Sequence, residues 1–445
     1  MKKAFSLILC LIMLFSLGSV VYAAGGETYY IDSVSGSDEN SGTSPENAWQ
    51  SIDRANQTAL SAGDRILLKC GETFVGMFNF KDSGTEAEPI VLSSYGEGEK
   101  PVIRASEGIY VMLIQNAANL IVENISFTAP DGYGMYIAAH SGFNVENITV
   151  RNCDFYDISP EDTSTSKAAL AINNDRTGAS RIRGIHLDGL TFNNVSWAVH
   201  TNGINAESDS KAFESPEKSY NSDYLFENIY IKNAACGGIV VSAVLNCTVR
   251  NCRVLDSATA QDSAYAPLWI RHSKNVLVEY CEIAGSTNKT DGMAIDFDGW
   301  TVDSTYRYIY SHDNQRFIKN CVYDSDTHNS GNSVYNCVSV NDSGKMNFSA
   351  VTLISTSRPS LALMRDFSFY DNIILNGKPI FWLCTSKPKI ENITFSSSGI
   401  WNFIQKIFNI FYKTVNFRYE KPADSDVQKL IDEITESLPE GNQGE

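Results

Sequence analysis

Hydrophobic and polar positions along this chain repeat one short phrase: apolar, any residue, Asn, apolar, any residue, apolar. It reads Val122-Glu123-Asn124-Ile125-Ser126-Phe127, Val150-Arg151-Asn152-Cys153-Asp154-Phe155 and Phe226-Glu227-Asn228-Ile229-Tyr230-Ile231. It returns as Val249-Arg250-Asn251-Cys252-Arg253-Val254, Tyr370-Asp371-Asn372-Ile373-Ile374-Leu375 and Ile390-Glu391-Asn392-Ile393-Thr394-Phe395. A phrase recurring at spacings of roughly 20 to 40 residues is the mark of a solenoid. Anchored on the central residue, the series is Asn124, Asn152, Gly189, Asn228, Asn251, Tyr280, Ile309, Asn336, Asn372 and Asn392. Asn and Gly tolerate a left-handed backbone, so the anchor predicts a one-residue corner between two short strands. Stacked Asn side chains then form a hydrogen-bonded ladder from coil to coil.

The flanks carry period two. Two residues before the anchor stand Val122, Val150, Leu187, Phe226, Val249, Val278, Val334, Tyr370 and Ile390; one after it stand Ile125, Cys153, Leu190, Ile229, Cys252, Cys281, Cys337, Ile373 and Ile393. Such alternation predicts strands with one buried face. The residue just before the anchor is Glu123, Arg151, Asp188, Glu227, Arg250, Glu279, Asp371 or Glu391, a solvated outer column. Unrelated strands of a sandwich would not repeat a corner residue.

With these residues the chain resembles the right-handed parallel β-helix, pectate-lyase-like family, over residues 28 to 400. The segment from Tyr29 to Trp49, followed by Ala62-Gly63-Asp64-Arg65-Ile66-Leu67-Leu68, is similar to the N-terminal module of secreted bacterial β-helix proteins, several of them carbohydrate-active. The resemblance implies an all-β solenoid of about ten or more coils, with a substrate groove on its outer face. It does not fix the reaction, because function lives in sites grafted on folds.

Organisation follows from the same pattern. Lys2 and Lys3, an apolar run from Ala4 to Val21 and Val21-Tyr22-Ala23 predict a signal peptide over 1–23, hence a secreted chain. Residues 24–105 read as an N-terminal capping module, with Trp49, Ile52, Ala55, Ala59 and Leu60 on one face of a short helix. Repeats occupy 106–400, interrupted by polar insertions at 157–167, 205–223 and 256–266, which in solenoids build the walls of a binding face. Residues 401–445 read as a C-terminal cap and acidic tail. The apolar cluster from Trp401 to Phe417 caps the last coil or, on the sharper reading, docks a partner or a membrane surface. No stretch after the leader reaches the about 18 apolar residues of a spanning helix.

Charge narrows the partners. The net charge is −17, and loss of Lys2 and Lys3 takes it to −19. A nucleic-acid binder needs a basic face, so nucleic acid is excluded as partner. A polysaccharide is expected instead, neutral or bridged by calcium, and the chain is expected to act as a monomer. Cys153, Cys252, Cys281 and Cys337 share the inward column, so they read as small core hydrophobes with free thiols; no zinc-site spacing is present.

Candidate chemistry sits on the third strand of each coil. Gly134–His140, Ala169–Arg176, Trp197–Asn202, Gly237–Ser242, Leu268–His272 and Gly292–Gly299 align. Met293, Ile295 and Phe297 then point inward, with Ala294, Asp296 and Asp298 outward. In this alignment Arg271 lies one coil below Asp296, and Trp269 below Ala294. His200, Asn173 and Asp175 continue the outer face. The stretch 291–314 breaks the anchor rule at Ile309 and gathers acids with Trp300, Arg307 and His312; such departures mark functional sites.

Three readings stay open for Asp296 and Asp298. As a glycosidase pair, one donates a proton and the other is nucleophile or base, with Arg271 and His312 beside them and Trp269, His200, Asn173, Trp300 and Arg307 touching substrate. In a polysaccharide lyase they hold calcium against a uronate while Arg271 or a lysine removes the α-proton. In a non-catalytic, adhesin-like solenoid they are a surface pair. Glycoside hydrolysis leads, with no obligatory cofactor. His312 also fits a core histidine, since it falls where other coils place Phe127, Phe155, Phe192 or Ile283.

Overall fold

The computed structural model describes residues 25–175, 179–203, 220–321, 328–343, 351–355, 363–377, 380–381, 389–412, 417–419 and 422–441. The leader at 1–23 lies outside them. Thirty-one strands join in one array in which every strand pairing is parallel. The fold is therefore a parallel β-helix, each coil contributing a strand to each of three walls.

The first wall climbs from Thr28–Ile31 through Leu120–Glu123 and Arg181–Asp188 to Lys389–Glu391. The second climbs from Thr73–Val75 through Asp154–Ile158 to Thr394–Ser396. The third runs from Phe78–Phe80 through Leu170–Asn174, Leu268–Arg271 and Met293–Phe297 to Ile380–Phe381.

In-register stacking brings like residues together. Phe127, Phe155 and Phe192 stack with centroids 4.9 and 4.8 Å apart inside the coil. Each such fully buried side chain contributes about 1.5–3 kcal/mol. Cys252 lies directly against Cys281, and all the described cysteines are free.

The expected corner is present. Asn124, Asn152, Gly189, Asn228, Asn251, Tyr280, Asn336 and Asn392 all have φ between 49° and 61°. Asn152 Nδ2 donates to Asn124 Oδ1 at 2.6 Å. Other corners carry their own ladders, which the repeat phrase did not reveal. Asn147 donates to Asn119 and Asn275 to Asn246, while Asn376 donates to Asn341.

Two anchors are corrected. The left-handed residues are Tyr308 and Asp371, one position before Ile309 and Asn372. Ile309 faces inward opposite Cys281. Asn372 is fully buried; its Oδ1 accepts from Cys337 N and its Nδ2 donates to Val334 O, both at 3.0 Å. It replaces an apolar residue by closing on two otherwise bare backbone groups. Phe369, not Tyr370, is accordingly the inward flank, and the outer column continues through Arg307, Tyr335 and Tyr370.

Short helices trim the stack. The first, Ile52–Asn56, buries Ile52 and Ala55 near Trp49, and ends before Ala59, which is exposed. Helix Gly399–Tyr412 meets the last coils through Gln405, whose Oε1 accepts from Ile380 N at 2.7 Å. Its Ile400, Phe403 and Ile407 face outward. Helix Asp424–Thr435 lies along the side of the stack, packing Val427, Leu430, Ile431 and Ile434 against Val338 and Leu375. No helix among the described residues is long and apolar enough to cross a membrane.

Candidate active site

The third wall carries the candidate carboxylates. Ile295 and Phe297 enter the core, so alternation turns Asp296 to the outer side of strand Met293–Phe297. Pairing puts Ala171 beside His200, His200 beside Val240, Val240 beside Trp269, Trp269 beside Asp296, and Asp296 beside Lys319. This is one vertical column, about 4.8 Å per coil. It corrects the expected alignment by two residues: Trp269, not Arg271, underlies Asp296. Arg271 reaches the next acid, its Nε 3.9 Å from Asp298 Oδ2.

Asp296 is on the outer face and yet covered. It is 1% exposed, against 9% for Asp298 and 7% for Asp291. Cys321 Sγ stands 3.6 Å from Asp296 Oδ2, while Oδ1 makes no hydrogen bond among the described residues. Burial, and then the nearby charge of Asp298, pushes the Asp296 carboxyl well above the usual carboxylate range. Its backbone is fixed: Tyr306 Oη donates to the Asp296 carbonyl at 2.8 Å. Asp298 follows at the strand's end. Gly299 N donates to its Oδ1 at 3.0 Å, and Thr301 Oγ1 donates to its carbonyl at 2.6 Å.

Three further residues complete the cluster. Lys319 Nζ is 2.6 Å from Asp291. Burial lowers the pKa of this lysine, but Cys321, Asp291 and Asp296 outweigh it and raise the pKa. Burial also raises the Cys321 thiol, with Asp296 adding to it. One ligand atom each from Asp296, Asp298 and Cys321 lie within 4.8 Å of one another. Nearby His272 is buried, and burial together with Arg271 lowers it to about 3, leaving a neutral ring.

A wall of aromatics borders the acids. Trp269 lies over Trp197, centroids 6.2 Å apart and rings 22° from parallel. His200 and Tyr265 meet Trp197 edge-on at 5.4 Å. The insertions at 157–167 and 256–266 close over this layer: Thr163 O accepts from Trp197 Nε1, and Thr163 Oγ1 donates to Asp262. Of the insertion at 205–223, residues 205–219 lie outside the described residues. Asn173 lies further along the same wall, paired with Asn202, its Oδ1 without a hydrogen bond among the described residues. Trp300 occupies the left-handed turn just after Asp298 and is largely buried.

Two expected residues are elsewhere. Arg307 belongs to the first wall's charge column, 2.5 Å from Glu279 and 3.2 Å from Tyr335 Oη. His312 is neither core nor site. Ser311 takes the inward position opposite Ile283, while His312 pairs with Glu282 and Asp313 on the second wall. The corner slip at Tyr308 shifts His312 by one position. Conversely, Asp291, Lys319 and Cys321 escaped the sequence reading. Asp291 opens the acid-rich stretch, and Lys319 and Cys321 belong to Arg316–Cys321, the third-wall strand of the following coil.

No family model matches the chain. Lacto-N-biosidase of Bifidobacterium longum subsp. longum is 31% identical over 189 residues, a match that spans 39% of this chain and only 12% of that protein. Among solved structures, the GH136 lacto-N-biosidase from Eubacterium ramulus superposes with a TM-score of 0.69 at 20% identity, covering 82% of this chain and 67% of that one. A mannuronic acid specific polysaccharide family 6 lyase from human gut microbiota gives 0.57 at 13% identity, covering 88% and 95%. These likenesses show the shared β-helix fold.

Proposed function

We propose that the chain is a secreted glycoside hydrolase that cleaves a complex glycan on its third wall. The observation that carries the reading is the carboxylate pair, Asp296 and Asp298, with one oxygen of each within 4.8 Å of the other. That separation suits a retaining mechanism, in which the two carboxyl groups stand about 5–5.5 Å apart. Asp298 attacks the anomeric carbon as the bond to the leaving oxygen breaks, and the Asp296 proton passes to that oxygen. Water then attacks the glycosyl ester, returning its proton to Asp296 and freeing Asp298. Trp269 offers a ring face beside the reacting sugar. The B. longum relative's name makes a glycan ending in lacto-N-biose the first substrate to try.

A second assignment within the same reading rests on exposure: Asp291 is less covered than Asp296. It makes Asp291 the proton donor and leaves Asp296 as a fixed neighbour whose pKa burial raises. The calcium-dependent lyase reading loses ground on its donor set. Calcium takes six to eight oxygens, whereas this cluster offers two carboxylates and a thiol.

The test is turnover of a lacto-N-biose-terminated glycan by wild type, Asp298→Asn, Asp296→Asn and Asp291→Asn. Reducing ends from wild type and none from Asp298→Asn are expected. An aryl glycoside with a good leaving group, which needs no protonation, should still release its aglycone in a first-turnover burst in the variant lacking the donor, although that variant no longer turns over the glycan. Unsaturated products, or undiminished turnover by Asp298→Asn, would defeat the proposal.

A further inference from the structure

We infer that Asp296, Asp298 and Cys321 form a binding site for a thiophilic divalent cation of the zinc type, and that filling it silences the carboxylate pair. The binding claim stands on geometry; only the silencing rests on the glycosidase reading above. Three ligand atoms of the right kinds lie within 4.8 Å of one another on two adjacent strands of the third wall. Two carboxylate oxygens and one sulfur leave a fourth position for water, the coordination zinc takes with three protein ligands. A thiol in the set selects a soft cation over calcium or magnesium.

A second observation points the same way. Asp296 is 1% exposed, and its Oδ1 makes no hydrogen bond among the described residues. A buried acceptor of this kind costs free energy until something coordinates it. The cation would bind as Cys321 and Asp296 each release a proton to solvent, leaving Asp298 as the third anionic ligand. Neither acid could then attack a sugar or donate a proton. Asp298, the least covered of the three, marks the way in.

Cobalt(II) reports both ligand type and geometry. Titrated into the mature protein, it should give a thiolate charge-transfer absorption and the intense visible bands of a four-coordinate ion, saturating at one equivalent, with zinc displacing it. Cys321→Ser should abolish the charge-transfer absorption. Asp298→Asn, which keeps the thiol, should retain it while weakening affinity more than about tenfold. Cys70→Ser, altering the one described cysteine that is not buried, should change nothing. Unaltered circular dichroism would show that each variant folds. Absence of the thiolate absorption in wild type, or its persistence in Cys321→Ser, would overturn the site. If cobalt binds as described and glycan turnover is unaffected by zinc, the silencing is wrong; if no glycan is turned over at all, the hydrolase reading fails and the metal site stands.

Discussion

The first and third walls are built on the same coils at the same spacing, yet they treat charge in opposite ways. On the first wall, carboxylates and guanidiniums alternate up the stack. Arg151 meets Glu123 at 2.6 Å, Arg250 meets Glu227 at 2.6 Å, and Arg307 meets Glu279 at 2.5 Å. Glu227 is held below its ordinary pKa by Arg250 and His186 against the opposing effect of burial. On the third wall, Asp296 is neighboured by Trp269 below and by Lys319 above, whose ammonium contacts Asp291. Burial, and then Asp298, push its pKa upward, the opposite direction to that of Glu227. Parallel stacking offers any pair of positions the same contact distance. What is placed there decides whether charges on a wall are paired or pushed toward neutrality.

The widest separation between the walls is expected in turnover. Asp298→Asn should lower the hydrolysis rate by about 10³-fold or more, the scale of losing an essential catalytic group. Changes on the first wall should leave the rate within about twofold. A comparable loss on both walls, measured as initial rates on one glycan, would erase the distinction.

Buried acids set the next effect. Asp342 lies fully buried between Ser311 and Ser339, and burial raises it to about 6 from 3.8 despite the hydroxyl and Asn314 donors. A raised folded pKa stabilises most when the group is protonated in both states. Its contribution is full below about 4 and is lost as pH rises through about 6, a change of about 3 kcal/mol. Asp296 acts in the same direction. Buried His272, lowered to about 3, works the opposite way in this range, so the effect is read as a difference: between pH 4.5 and 7.5 the thermal midpoint of Asp342→Asn should gain on that of wild type. A difference that stays constant across that window would contradict the Asp342 assignment.

Smaller effects test the neutral and the charged ladders. Asn372→Ala strands Cys337 N and the Val334 carbonyl inside the coil and should cost about 2 kcal/mol in urea unfolding. Arg151→Ala removes a half-exposed partner of Glu123, and less than about 1 kcal/mol should be lost. A large cost there would mean that the first wall's charges hold the stack together.

Much of this was legible beforehand, for a physical reason. A left-handed corner restricts residue type, so Asn and Gly announced the coils and the buried columns beside them. The rule slipped where other residues accept that conformation: Tyr308 and Asp371 take the corner, and Ile309 and Asn372 turn inward. That one-position slip gives Ser311 the column assigned to His312, whereas Arg307 was drawn to the site only by standing in the acid-rich stretch 291–314. Asp296, Asp298 and Trp269 were found because strand alternation puts them outside. Their vertical partners were misread by two residues, since the connections between coils vary in length and only hydrogen-bonded register fixes who lies over whom. Lys319 and Cys321 announce themselves by no local pattern; they matter only because their strand follows Met293–Phe297 in the stack.

The central claim is that the third wall hydrolyses a glycosidic bond through Asp298. Its most direct test is turnover of a lacto-N-biose-terminated glycan in water enriched in heavy oxygen, followed by mass spectrometry of the released sugar. The account predicts one heavy oxygen at the newly formed reducing end, and its loss in Asp298→Asn. An unlabelled, unsaturated product from the wild-type protein would contradict it.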